Sequence, residues 1–117
     1  MDVISTRTAP HYLWQSVCDG WPLVDTADLS VKEEQMPPGT AETPHSHSFA
    51  QQFFYVLEGV LTMEARGEAR QISQGQGFSV PPGVAHQASN TGADPVRFLV
   101  ISAPTTNDDR TETDHPG

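Results

Sequence analysis

The chain holds a single cysteine, Cys18, among 117 residues. That excludes an intramolecular disulfide and any Cys-rich zinc site, and a lone cysteine reads as a small buried hydrophobe. No stretch approaches the roughly 18–20 consecutive apolar residues that a membrane helix needs. The first residues, MDVISTRTAPHYLW, lack the basic start and apolar run of a secretion signal. A cytoplasmic protein with no membrane partner is expected. Basic residues are scarce: 6 Lys and Arg stand against 15 Asp and Glu, for a net charge of −9. With no basic cluster to offset that balance, nucleic acid is excluded as a partner. Also absent is any sustained apolar stripe of helical period, any internal repeat and any sign of a second domain.

What the chain does have is punctuation. Ten prolines and nine glycines separate short apolar segments that read as strands: VISTRTA near the start, LSVKEEQM, QFFYVLEG, VLTMEA, ARQIS, GFSVP, HQASN and VRFLVIS. Turn signals fall between them at PPG (37–39), ARGEA (65–69), GQG (75–77), PPG (81–83) and TGADP (91–95). Arg66 and Gly67 read as a tight hairpin turn. Many short strands at even spacing predict one all-β domain, a sandwich or barrel, over residues 1–104. The segment HYLWQSVCDGWPLVDTADL is ambiguous: it could hold a short helical turn, but Gly20 and Pro22 argue for loop and edge strand. Residues 105–117, TTNDDRTETDHPG, carry little apolar content and predict a flexible acidic tail in which His115 is inert.

Three of the five histidines sit in two clusters with a common grammar. The first runs Gly39, five residues, His45-x-His47, four residues, Gln52, six residues, Gly59. The second runs Gly75, five residues, Pro81-x-Gly83, two residues, His86, three residues, Asn90. On a strand, residues i and i+2 share a face, so His45 and His47 aim at one point. If the chain reverses after Ala50, Gln52 begins the neighbouring strand and projects towards them, while alternation turns Gln51 away. The PPG corner is expected to deliver His86 from a third direction. Three converging imidazoles suit Zn, Mn, Fe, Ni or Cu, and ligand type alone does not choose among these.

Together the two clusters resemble the paired motifs of the cupin superfamily, G(X)5HxH(X)3–4E(X)6G and G(X)5PxG(X)2H(X)3N. Every fixed position is matched except one, where Gln52 stands in place of glutamate. The stretches DGWPLV, MPPGT, QFFYVLEG, VPPGVAHQ and FLVIS further resemble small single-domain cupins of the phosphomannose-isomerase-like group. The resemblance implies a double-stranded β-helix (jelly-roll barrel), one divalent transition metal inside one end, and a homodimer formed through N-terminal strands. Its ligands would be His45, His47, Gln52 and His86.

An amide oxygen is a weaker, uncharged donor. Three neutral imidazoles and an amide would leave the ion's charge uncompensated, and the amide cannot serve as a general base. Alternation places Phe54, Val56 and Ala88 on the inward face, with Phe98 and Val100 inward from the last strand unless the register brings Arg97 in instead. The expected pocket is therefore largely apolar and takes a small molecule. The function these features favour is a metal-dependent enzyme acting on a small oxygenated metabolite, a sugar acid or a polyketide-like enol. Lewis-acid isomerisation, ring-opening or elimination would be its chemistry. A dioxygenase at the same ligands and a non-catalytic metabolite-binding barrel are the alternatives.

Overall fold

A computed structural model describes residues 1–117 as eleven strands and no helix. They are β1 (Tyr12–Trp14), β2 (Cys18–Asp25), β3 (Ser30–Met36), β4 (His45–Ser46), β5 (Gln51–Glu58), β6 (Val60–Ala65), β7 (Glu68–Ser73), β8 (Gly77–Val80), β9 (His86–Ser89), β10 (Val96–Ala103) and β11 (Thr111–Glu112). A six-stranded sheet in the order β1-β2-β3-β10-β5-β8 faces a five-stranded sheet in the order β11-β4-β9-β6-β7. Every pairing is antiparallel. This is the jelly-roll arrangement that the resemblance to cupins implies. No helix is long and apolar enough to cross a membrane.

Alternation sets which side chains enter the barrel. Along β5, Gln52, Phe54 and Val56 are buried while Gln51, Phe53 and Tyr55 are exposed. On β10, Val96, Phe98, Val100 and Ser102 are buried. Cross-strand register then builds inner rows: Ser30, Ser102 and Gln52; Lys32, Val100 and Phe54; Glu34, Phe98 and Val56. Leu61, Met63, Ile72, Val80 and Ala88 close the core from the other strands, with Cys18 and Met36 fully buried among them. Burial of each such large side chain contributes about 1.5–3 kcal/mol, so this core drives the fold. The β6–β7 hairpin turns on Arg66 and Gly67, both at positive φ (53° and 75°), the signature of a two-residue turn matched to strand twist.

Two expectations are corrected and one ambiguity is settled. VISTRTA forms a turn rather than a strand, held by Thr8 and Ala9 N–H groups donating to the Ser5 carbonyl. The ambiguous segment after it holds β1 and all of β2. Residues 105–117, expected as a flexible tail, return to the five-stranded sheet: Thr111 pairs with Ser46 and Glu112 with His45. Asp109 is buried there. Composition misled because polar residues hold this segment in place through hydrogen bonds rather than through apolar packing.

Candidate metal centre

His45 and His47 come from β4 and the residue after it, and His86 opens β9, directly opposite His45 in the ladder. His86 therefore arrives from the adjacent strand of the same sheet rather than from a third direction. Gln52 arrives from the facing sheet, since β5 pairs with β10 and β8 and not with β4. The expectation that it would start the strand beside the histidines is corrected accordingly. The ring centroids lie 4.5 Å apart for His45 and His86, 4.9 Å for His45 and His47, and 5.7 Å for His47 and His86. One nitrogen from each ring lies within 4.8 Å of the others.

The hydrogen bonds at the back of each ring set its chemistry. His45 Nδ1 donates to the Thr43 carbonyl (2.7 Å), His47 Nδ1 to the Asp109 carbonyl (2.5 Å) and His86 Nδ1 to the Val84 carbonyl (3.0 Å). A carbonyl only accepts, so each Nδ1 carries the proton and each Nε2 presents a lone pair. Burial holds the imidazolium forms unfavourable: the His45 pKa falls to about 3, and those of His47 and His86 are also lowered. All three rings are neutral near pH 7. Gln52 donates its amide N–H to Ser102 Oγ (3.1 Å), which leaves its oxygen free.

The buried side-chain atoms without a hydrogen-bond partner are His47 Nε2, His86 Nε2 and Gln52 Oε1. Buried acceptors are ordinarily satisfied. Three orphans, all belonging to the expected ligand set, fit a divalent ion as the missing partner.

Above these groups lies a pocket of about 250 Å³, with only 4 hydrophobic residues among the 14 that line it. Of the residues expected to line it, Phe54 and Val100 face the pocket, whereas Val56, Ala88 and Phe98 lie deeper, in the barrel core. The largely apolar pocket expected from alternation is thus corrected to a charged one. Lys32 and Glu34 enter it from β3, Arg110 and Thr106 from the C-terminal segment, and Tyr12 and Trp14 from β1. Arg97 is outside, donating to Glu33 (2.6 Å) and Gln35 (2.7 Å) and lying over Trp21.

Two carboxylates that strand patterning did not place at the site stand within it. Glu42 Oε1 lies 3.8 Å from His45 Nε2, with its side chain 11% exposed. Desolvation and then the nearby Glu34 charge push its pKa up to about 8, against the pull of Arg110. Glu34 accepts a hydrogen bond from Tyr12 Oη (2.5 Å); its pKa is also raised, by desolvation that outweighs Tyr12, Lys32 and Arg110. Desolvation and Glu34 likewise raise the Tyr12 hydroxyl.

The cupin domain profile matches residues 32–102, and the chain belongs to the cupin family. Among curated relatives, the tetracenomycin polyketide synthase protein TcmJ of Streptomyces glaucescens is 29% identical over 70 residues, covering 60% of this chain and 47% of that protein. The structure of KdgF from Halomonas sp. superposes with a TM-score of 0.82 at 23% identity, covering 92% of this chain and 97% of that one. The polyketide cyclase RemF from Streptomyces resistomycificus gives 0.79 at 19% identity over 90% and 80%. At those identities the structural likeness is one of fold. The chain covers less than two thirds of the curated relatives' length, 66% of one and 47% and 45% of the next two.

Proposed function

We propose that this cupin is a metal-dependent enzyme that isomerises, ring-opens or eliminates from a small anionic, hydroxylated metabolite, with a sugar acid the favoured class. The observation that carries the reading is the cluster of unpartnered Nε2 and Oε1 atoms beneath a pocket with charged walls. His45, His47, Gln52 and His86 would hold one divalent ion. When bound, such an ion supplies Lewis-acid polarisation of a substrate carbonyl or hydroxyl oxygen.

The remaining roles belong to the chain's own residues. Lys32 and Arg110 place positive charge on the pocket wall, where they would hold a carboxylate or other anionic group. Gln52 cannot move a proton, but Glu42 stands beside His45 in the same pocket, within reach of a substrate seated over the ligands. It would carry the proton between substrate atoms. Glu34 and Tyr12, joined by their hydrogen bond, would present a hydroxyl and a carboxyl to substrate hydroxyls. The likeness to TcmJ and the shared fold with a polyketide cyclase support enol substrates as the second reading, with the same proton carrier. We also propose a cytoplasmic setting, which suits a chain whose single thiol is free and buried.

The test is a panel of sugar acids and phenolic enols incubated with metal-loaded protein and followed by proton NMR together with an oxygen electrode. Turnover without oxygen uptake is expected, reduced about 100-fold or more in Glu42→Gln. Product formed in step with oxygen consumption would instead establish a dioxygenase. Ligand-induced thermal stabilisation with no turnover across the panel would establish a binding barrel.

A further inference from the structure

His45 and His86 take their Nδ1 acceptors from two residues away, at Thr43 and Val84. His47 is different. Its acceptor is the carbonyl of Asp109, 62 residues further along the chain. The Asp109 side chain then reaches the loop that follows His47, accepting backbone N–H groups from Ser48 (2.6 Å), Phe49 (3.1 Å) and Ala50 (3.0 Å). That loop is the whole connection between His47 and β5, where Gln52 lies. One residue thus grips both the imidazole and the stretch of backbone that spaces two expected ligands.

We propose that Asp109 is a positioning residue of the metal centre: it fixes the tautomer and ring orientation of His47 and the separation of His47 from Gln52. This rests on the metal-site reading above. His47 lies just past the two-residue β4, so no regular ladder holds its ring in place. Three consecutive N–H groups turned to one side form an anion-binding nest. Without the carboxylate those donors would lose their partners where Ala50 is 1% exposed, and the loop would have to rearrange to find others. Partners behind a metal-bound imidazole commonly set affinity by about 10- to 100-fold. The C-terminal segment is on this account a working part of the site rather than an appendage.

The test compares the full chain with Asp109→Ala, Asp109→Asn and, as a control on an exposed aspartate outside the pocket, Asp94→Ala. Two quantities are read: the Co²⁺ dissociation constant by chelator competition, and the His47 tautomer in metal-free protein from ¹⁵N imidazole shifts. Cobalt binding is expected to weaken about 10- to 100-fold in Asp109→Ala and by a smaller factor in Asp109→Asn. The control should stay within about twofold, as an independent site would. His47 should be the Nδ1–H form in the parent protein and a mixture in Asp109→Ala, where the acceptor carbonyl remains but the carboxylate that anchors it to the His47 loop is gone. If one variant does not fold, the other carries both measurements. Parent-like cobalt affinity and an unchanged tautomer in a folded Asp109 variant would show a loop tether only and overturn the proposal. A parent protein that binds no Co²⁺ would overturn the metal-site reading itself, and this inference with it.

Discussion

Position 52, where the cupin motif carries a carboxylate, is an amide here, and a carboxylate stands nearby from another position: Glu42 Oε1 lies 3.8 Å from His45 Nε2. Its raised pKa has a measurable consequence in metal-free protein. A carboxyl moved from an ordinary 4.5 to about 8 binds more protons folded than unfolded in that interval, so its contribution to stability is lost as pH rises through it. His45, lowered from 6.5 to about 3, acts oppositely: its contribution rises with pH up to about 6.5 and offsets the carboxyl's loss below that value. Above that value the carboxyl dominates. Chelator-treated protein should lose about 1–2 kcal/mol between pH 6.5 and 8 in urea titrations, and Glu42→Gln should flatten the slope. An identical slope in the variant would assign the pH dependence elsewhere. Glu42 escapes a sequence reading for a physical reason. Strict alternation back from His47 and His45 puts residue 42 on the opposite face, but Thr43 and Pro44 lie outside any strand and reset the parity. Lys32 and Glu34 are hidden differently: both faces of SVKEEQM carry charge, so no alternation marks the inward one.

Two elements frame the pocket mouth, and both sit where the sequence says least. The first strand pairs only with β2, and Tyr12 lies directly across from Gly20. A Cβ on Gly20 would fall 2.1 Å from Tyr12 Cζ, so the glycine makes room for the ring that reaches Glu34. Gly20→Ala should therefore lower stability by about 1–3 kcal/mol in thermal denaturation. Its metal affinity should stay within about threefold of the parent's, because no ligand lies on β1 or β2. A large loss of metal binding would mean that the ligands depend on this flap. The central strands QFFYVLEG and VRFLVIS were legible as apolar, β-branched and aromatic runs bounded by turn signals. The segments that complete the site were not. β4 and β11 are two residues each, too short to leave a period, and Asp109 acts through backbone groups that no side-chain pattern records.

For the whole molecule, the outer face of the six-stranded sheet is the feature most in tension with composition. Val31, Phe53, Tyr55, Leu99 and Ile101 lie side by side there across β3, β10 and β5, with Phe53 and Tyr55 38% and 37% exposed. We propose that a second copy covers this face, which would place the expected homodimer on the sheet rather than on exchanged N-terminal strands. A net charge of −9 on each chain opposes such pairing, so the dimer should tighten as salt screens the repulsion. Light scattering on a sizing column should give a dimer that Tyr55→Asp converts to monomer. A parent protein that stays monomeric at about 100 µM in about 300 mM salt would contradict this. The central claim remains the metal. Elemental analysis tests it on protein purified without a polyhistidine tag, loaded in turn with Zn, Mn, Fe and Ni and then desalted. About one equivalent per chain is predicted, falling to background in His86→Ala. Less than about a tenth of an equivalent with every ion would contradict the account.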